Sequence, residues 1–578
     1  MTEPLHIRNM KLNYSESSFH QFVTKIFYKE NLFLLRTLLN ALLDLQRSRM
    51  GITSKIFNRS LFIDLNESKK KTVIVLFTKI TLMKKIILLL LLAPISVFAQ
   101  NSISYKINYG RDLENDGLKI QLLYEKVEAS DSTIFFYNNN SWGETDLFNS
   151  IQVRNEDNQN YSFKLNKDEH QIIVYHPKTK HVSFTYRIKQ DFPEPDYKTT
   201  FRPIIHNQYF HILGYSLFVV PEYFVNDDFN EKMDVTIEWV GFPEDFKIHN
   251  TYDSETKIQK LNVRLWEELF HSVFVGGDYR IYRFDHHNKP IYFAVRDTWT
   301  NGFTDDFLVS NFKKAIISQR DFWKDYSQDY FTAILTPTVT QEDSLFKGNN
   351  LAGSAVKNGF TLQATNNPFN NKQIYIYTLH HELMHHWIGG KIQNKYKELN
   401  YWFSEGFTDY YTHKNRLRIK DITIQEWVDF FNNEIMAVHW NNSKRNIPNY
   451  EIAEGFWKSR DISNVPYKRG AIFAFWLDNQ ILIKSNGTKS LDDLMNDLLE
   501  KCIKENVKFS DELLIDLATN YLDINTFPFF QKHIINGEDV DLLNEKWIEG
   551  FEFSLIDSIP QLKLTSTESI NYIVETTK

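Results

Sequence analysis

The pattern His-Glu-x-x-His at residues 381–385 constrains the fold of this 578-residue chain more than any other segment. Residues four apart share one face of a helix, so the pattern places two imidazoles where both can reach the same ion. The surrounding sequence predicts a helix over residues 373–388, ended by Gly389 and Gly390. We therefore expect this helix to form one side of a metal-binding site.

The residues around the pattern suggest which other groups complete the site. Zinc in a hydrolytic enzyme takes three protein ligands and keeps one position open. His381 and His385 supply two, and Glu405, 20 residues further on, follows the two glycines and can return on a second helix as the third. Asp409 lies one helical turn after Glu405, where it can accept the free ring N–H of a ligand histidine. The alternative is that these side chains only solvate two helix faces.

The order of secondary-structure patterns predicts an α+β chain with several domains. A length of 578 residues corresponds to about three domains. Short alternating or β-branched runs fill residues 100–285 and predict a β-rich amino-terminal domain, a sandwich or a large curved sheet. Strand and helix patterns mix over residues 286–425, which we interpret as the catalytic domain. Residues 426–578 show helical periodicity and predict a helical carboxy-terminal domain.

The segment at residues 83–99 has the composition of a secretory signal peptide. Two lysines precede an uncharged run of 13 residues that ends in small residues, too short for the roughly 20 residues of a membrane span. We predict cleavage after Ala99 and export to a periplasm or to the exterior, with membrane anchoring if the segment stays uncleaved. Residues 1–82 are interpreted as an upstream extension that is not part of the native protein. A buried core helix is the alternative for residues 83–99.

Composition excludes several classes of protein. The single cysteine, Cys502, rules out an intramolecular disulfide framework and a cysteine-based zinc ribbon. The formal net charge of −7 argues against a nucleic-acid partner. We expect instead a peptide or protein as the partner, and no stable membrane span once the signal segment is removed.

Three segments together resemble the gluzincin metallopeptidases. These are residues 381–387, residues 402–411, which read Trp-Phe-Ser-Glu-Gly-Phe-Thr-Asp-Tyr-Tyr, and residues 467–470, which read Tyr-Lys-Arg-Gly. The resemblance is closest to the glycyl aminopeptidase family and more distant to the membrane alanyl aminopeptidase family. It extends over roughly residues 288–543, and it implies a thermolysin-like zincin catalytic core.

The resemblance also implies roles for individual residues. His381, His385 and Glu405 would bind one Zn²⁺ ion, Glu382 would act as the general base and acid, and Tyr467 would stabilise the oxyanion. The implied reaction is hydrolysis of a peptide bond by zinc-activated water. A catalytically inactive relative that keeps the fold as a binding or scaffolding protein is the alternative.

One segment departs from the pattern of these families. They carry a Gly-rich strand with a glutamate that holds the α-amine of the substrate, and the comparable residues here are 351–360. Ala355 or Val356 stands where that glutamate should be. An extended strand can still pair with the substrate backbone, so the sequence predicts an aminopeptidase-like hydrolase and leaves exopeptidase and endopeptidase activity both open.

Overall fold

The computed structural model describes residues 101–137, 152–153, 161–192, 200–225, 232–254, 256–339 and 348–566. The predicted signal peptide at 83–99 and the upstream extension at 1–82 lie outside these residues. Within the described ranges, no helix combines the length and apolar character needed to cross a bilayer.

The amino-terminal part consists almost entirely of strands. Its described residues form the short α-helices α1 (Leu113–Asp116), α2 (Gly214–Leu217) and α3 (Trp266–Phe270) and a 3-10 turn at Glu222–Val225. Its strands are β1 (Ser102–Asn108), β2 (Leu118–Tyr137), β3 (Gln152–Val153), β4 (Ser162–Asn166), β5 (Gln171–Ile188), β6 (Ile204–Ile205), β7 (Tyr209–Leu213), β8 (Val219–Pro221), β9 (Met233–Val240), β10 (Lys247–Asn250), β11 (Ile258–Val263) and β12 (Val273–Gly277).

These strands form two sheets packed face to face. The larger has the order β11-β9-β1-β2-β5-β3, with β4 on β5 and β8 on β2, and the smaller has the order β10-β12-β7-β6. Alternation in β1 buries Ile103, Tyr105 and Ile107 on one face, as a strand with one face on the core requires. Both sheets contribute to one hydrophobic core, so the predicted β-rich amino-terminal part is present as two packed sheets.

A mixed sheet with two long helices follows. Its strands are β13 (Arg280–His286), β14 (Lys289–Val295), β15 (Phe331–Val339), β16 (Leu351–Val356) and β17 (Gly359–Thr365), and its helices are α4 (Asp305–Trp323) and α5 (Lys372–Met384). The order is β13-β14-β15-β17-β16, with β14, β15 and β17 parallel and β13 and β16 antiparallel at the edges. α4 and α5 cover one face, while the other face packs on the smaller amino-terminal sheet.

The carboxy-terminal part is mainly helical. Its α-helices are α6 (Tyr401–Ser404), α7 (Gly406–Arg418), α8 (Ile424–Phe430), α9 (Ala437–Asn441), α10 (Asn449–Gly455), α11 (Arg460–Ser485), α12 (Leu491–Glu505), α13 (Asp511–Leu522) and α14 (Phe527–Phe530), with π-helical turns at Phe431–Met436 and Gln531–Ile535. α11 contains Pro466 in its second turn.

The helical prediction for residues 426–578 is wrong near the end of the described chain. Strands β18 (Phe551–Ile556) and β19 (Ile559–Leu564) form an antiparallel hairpin there. Phe551 and Phe553 are buried while Glu552 between them is exposed. This alternation with a period of two is typical of a strand, and it distinguishes these residues from the helical ones before them. Mixed sheets and helices together give the α+β class that the sequence predicts; the domain boundaries stay predictions.

Candidate metal centre

Helix α5 presents the two histidines of the sequence motif on one face. Asn371 caps its amino terminus by accepting hydrogen bonds from the backbone N–H groups of Gln373 and Ile374. The helix ends at Met384, four residues before the predicted end, but His385 keeps helical dihedral angles at the C-cap. The spacing of four between His381 and His385 therefore still places both rings on the same side.

The structure brings His381, His385 and Glu405 together in a small triangle. The two Nε2 atoms are 3.1 Å apart, and Glu405 Oε2 lies 3.5 Å from that of His381 and 3.3 Å from that of His385. Ligands at about 2.0–2.1 Å from a tetrahedral zinc ion lie roughly 3.3–3.4 Å from one another. Two imidazoles and one carboxylate at these separations fit a zinc ion, in donor type as well as in size.

Glu405 lies between α6 and α7, where its N–H donates to the carbonyl of Tyr401 and its carbonyl accepts from the N–H of Asp409. α11 crosses the chain next to Glu405, where Gly406 meets Gly470 backbone to backbone. A Cβ atom on Gly470 would overlap the carbonyl oxygen of Trp402, and one on Gly406 would overlap Gly470. This glycine crossing holds the segment that carries Glu405 directly against the helix that carries Tyr467.

Asp409, on the first turn of α7, orients His381. Its Oδ1 lies 3.2 Å from His381 Nδ1, and its carboxylate is completely buried. Two further groups hold that carboxylate: Tyr377 donates its hydroxyl to Oδ1, and Lys468 donates to Oδ2 at 2.9 Å. His385 is oriented separately, because its Nδ1 lies 3.1 Å from the carbonyl oxygen of Ile388.

The electrostatics of the triangle favour a positive charge at its centre. Burial lowers the pKa of His381, but Asp409 and Glu405 together raise it to about 10. Burial raises the pKa of Glu405, but His385 and His381 outweigh it and hold that pKa well below its usual range. The carboxylates are thus anionic, and a divalent cation that displaces the two histidine protons meets the same negative surroundings.

Glu382 lies next to the triangle and faces the edge strand β16. Burial raises the pKa of Glu382, partly offset by His381 and His385. A Cβ atom added to Gly353 of β16 would overlap the Glu382 carboxyl group. The backbone of the strand and the carboxylate are in contact only because residue 353 has no side chain.

Tyr467 of α11 also lies beside the triangle. Its ring stacks on that of His381 with the centroids 6.1 Å apart. Burial raises the pKa of the Tyr467 phenol, and the charges of Glu405 and Asp409 raise it further. The hydroxyl therefore stays protonated and remains a hydrogen-bond donor.

Three residues of this site were not singled out from the sequence. Tyr377 lies four residues before His381 on the same helix face, a spacing that could have identified it. Lys468 follows Tyr467, and no sequence pattern links it to Asp409. For Gly353 the sequence shows only that its strand is rich in glycine. Its contact with Glu382 depends on how closely α5 packs against β16, which the sequence does not indicate.

Strand β16 lies at one edge of the mixed sheet, beside the site. In the described chain it pairs only with β17. Gly353 faces Glu382, so Ala355, two residues further, points to the same side, whereas Ala352 and Val356 pack toward the amino-terminal sheets. Ala355, one of the two residues that stand where the glutamate is expected, thus lies on the side of β16 that faces Glu382.

Comparison with solved structures identifies proteins of similar fold. Neither the family models nor the curated proteins include a match to the chain. A crystal structure of an aminopeptidase N family protein from Idiomarina loihiensis matches it with a TM-score of 0.62 at 13% sequence identity, over 78% of this chain and 79% of that chain. An M1 zinc metallopeptidase from Deinococcus radiodurans matches with a TM-score of 0.46 at 12% identity, over 77% and 96% of the two chains.

The sequence resemblance to gluzincin aminopeptidases and the structural comparison agree on the architecture. Two packed sheets precede a mixed sheet whose helix carries the two histidines, and a helical region supplies Glu405 and Tyr467. The chain therefore has the fold of the aminopeptidase N family structure.

Proposed function

We propose that this chain is an exported zinc-dependent metallopeptidase that hydrolyses peptide bonds in peptides or proteins. The observation that supports this most strongly is the triangle of His381, His385 and Glu405, whose donor atoms lie within 3.1–3.5 Å of one another. Export rests on the signal-peptide pattern of residues 83–99.

The side chains around the triangle suit the steps of peptide hydrolysis. Zinc bound there would supply a Lewis acid and lower the pKa of water. Glu382, whose pKa burial raises, takes a proton from the attacking water and delivers it to the leaving amine. Tyr467 donates its hydroxyl to the carbonyl oxygen of the substrate as negative charge develops on it. Asp409 keeps the ring of His381 in the orientation that presents Nε2 to the ion.

The edge of β16 suits an extended substrate strand. Backbone groups of the edge can pair with the peptide on the side where Gly353 meets Glu382. Ala355 offers no carboxylate to a free amino terminus, which favours cleavage that does not depend on that amine. Acetylating the amino terminus of a peptide substrate tests this: an endopeptidase keeps its kcat/KM, and an aminopeptidase loses it.

The experiment that tests the proposed function combines metal content with one substitution. We expect the chain from Gln100 to hold one equivalent of zinc and to hydrolyse peptides. Glu382→Gln should keep the zinc and lower kcat by about 10²–10⁴-fold, because it removes the proton acceptor but no ligand. Glu552→Gln, an exposed change on β18, serves as the matched control.

Two outcomes would contradict the proposal. A chain that binds no zinc after loading would exclude the metal site. A chain that binds one zinc ion but cleaves no peptide would favour the inactive binding or scaffolding protein instead.

A further inference from the structure

An open cleft adjoins the metal centre on the side of Tyr467. Its lining includes Tyr467, Asn464 and Arg460 from the first two turns of α11, and Trp457 and Lys458 from the segment before that helix. Residues spaced by three, four and seven share one helix face, so Arg460, Asn464 and Tyr467 form a continuous wall. The cleft therefore leads from the proposed oxyanion donor to the amino terminus of α11.

The far end of the cleft carries two positive charges, those of Lys458 and Arg460, while the nearby Asp461 in the first turn of α11 is not among the lining residues. Lys458 and Arg460 are both exposed, and the residues that line the cleft include no aspartate or glutamate. Among the described residues, neither cation forms an ion pair with a carboxylate. The amino terminus of the 26-residue helix α11 adds partial positive charge at the same place.

Trp457 gives this end of the cleft an apolar wall. Its side chain is 65% exposed, which is unusual for the largest aromatic residue in a chain that buries most of its tryptophans. A flat indole beside two free cations can contact the stem of a residue whose charged end the cations bind.

The distance from the donor to the cations corresponds to a few residues of substrate. Arg460 precedes Tyr467 by seven residues, which is about 10 Å along a helix with a rise of 1.5 Å per residue. An extended peptide advances roughly 3.3 Å per residue. A group at Lys458 and Arg460 would thus lie about three residues from the peptide bond at Tyr467.

We propose that Lys458 and Arg460 bind a carboxylate of the peptide substrate about three residues from the cleaved bond. The inference rests on the proposed peptidase function and names the substrate class: peptides with a carboxylate at that distance, from either the carboxyl terminus or an acidic side chain. Binding of this group would position the substrate along the cleft and would substitute for the missing anchor of the amino terminus.

Binding measurements test the cleft separately from catalysis. The probes are fluorescein-labelled hexapeptides of one sequence with a free carboxyl terminus or an amidated one, and amidated versions with aspartate or asparagine at successive positions. They are titrated by fluorescence anisotropy against zinc-loaded Glu382→Gln protein. We expect the free acid, or the peptide with aspartate at one position, to bind about tenfold more tightly than its neutral partner at low salt. The difference should shrink at 0.5 M salt because the cations are exposed.

Charge-removing variants assign the preference to the cleft. Lys458→Gln with Arg460→Gln should abolish the difference between the acid and neutral peptides. The control pair Lys508→Gln with Lys563→Gln removes the same charge from exposed positions outside the cleft and should leave it intact.

The outcomes separate the two proposals. Three results would each overturn the carboxylate site. These are equal affinity for acid and neutral peptides, no binding of either peptide, and a preference for the acid that persists in the Lys458 and Arg460 variant. Absence of hydrolysis by the unsubstituted protein overturns the peptidase function, while the anisotropy result still decides whether the cleft binds carboxylates. Mass spectrometry of products shows whether the preferred carboxylate lies about three residues from the cleaved bond, and a different distance also overturns the assignment.

Discussion

Gly353 illustrates how a single missing methyl group can shape a reactive site. Its Cα lies where any side chain would meet the carboxyl group of Glu382. The carboxylate is thus held between the helix that carries it and the backbone of an edge strand, which is where an extended substrate would pair.

We predict that Gly353→Ala lowers kcat/KM by about 100-fold, because the new methyl group displaces the Glu382 carboxylate by roughly 1 Å or more. The zinc content and the thermal unfolding midpoint should change little, since the carboxyl end can move aside. Gly110→Ala is the matched control, because a Cβ there would have only ordinary contacts of 3.5 Å or longer. Equal activity of the two variants would show that Glu382 does not depend on this contact.

Asp409 is the residue through which Tyr377 and Lys468 act on the metal site. Asp409→Asn should weaken zinc binding by about 10–100-fold, because the amide orients the His381 ring less strongly and leaves Lys468 without its anion. Competition with a chromogenic chelator measures the affinity. Asp429→Asn, on the exposed face of α8, is the control, and an unchanged affinity in Asp409→Asn would contradict the role.

At the scale of residues, the sequence predicted pairs of side chains that are one helical turn apart. It missed Tyr377, although its spacing from His381 is the same, and it missed residues that reach the site only through packing. The separation of His381 from His385 and of Glu405 from Asp409 is one helical turn in each case, so it can be recognised in a string of letters. Lys468 and Gly353 meet the site through the packing of other elements, and no local pattern records that.

At the scale of elements, a buried ion cluster joins three helices of the carboxy-terminal part. Lys414 of α7 donates to Asp478 of α11 at 2.6 Å and to Asp492 of α12 at 2.7 Å, and all three side chains are almost fully buried. The helix that carries Asp409 is thus attached by charge to the helix that carries Tyr467.

Lys414→Met should lower the free energy of unfolding by about 3–5 kcal/mol, because two carboxylates lose the cation that compensates their burial. Lys314→Met is the contrast, since the Lys314–Asp421 pair has a half-exposed lysine and should contribute less than about 1 kcal/mol. Urea unfolding of both variants provides the comparison. A similar decrease in the free energy of unfolding of both variants would mean that the buried cluster contributes no more to stability than the half-exposed pair.

Element types were predicted better than element ends. The helix over residues 373–388 exists, yet it stops at Met384, and the turn that follows brings His385 Nδ1 into contact with the carbonyl oxygen of Ile388. The hairpin of β18 and β19 was missed because its two short strands follow a long run of helices.

At the scale of the whole molecule, two buried histidines connect the amino-terminal sheets with the mixed sheet. His211 of β7 accepts a hydrogen bond from Gln363 at 2.8 Å and lies 2.9 Å from Thr361 Oγ1, both on β17. His249 of β10 lies 2.6 Å from Thr332 Oγ1 on β15. Burial lowers the pKa of both imidazoles to about 3.

This arrangement predicts acid-sensitive stability. Below about pH 6.5 the unfolded chain binds protons on these histidines, whereas the folded chain does not. The free energy of unfolding is therefore highest above pH 6.5 and decreases as the pH falls toward 3. By pH 5 the loss should be about 2 kcal/mol for each histidine. Urea unfolding at pH 7.5 and pH 5 measures it, His211→Asn and His249→Asn should each reduce the pH dependence, and exposed His181→Asn should not.

The α+β class could be predicted because strand and helix periodicities occupy different stretches of the chain. The packing of the sheets on one another could not be predicted, because it depends on which sheet faces bury polar residues such as His211 and Thr361. In addition, all seven residues of β17 are buried, so its sequence shows no alternation that would indicate which elements cover its two faces.

The glycine crossing between Gly406 and Gly470 has a practical consequence for anyone who wishes to alter this protein. Because two backbones touch there, Glu405 and Tyr467 are coupled almost as if they belonged to one rigid part, and even an alanine would separate them. A mutant library aimed at new peptide preferences should therefore keep both glycines invariant and diversify the solvent-facing start of α11, where side chains can change without disturbing the separation of ligand and donor.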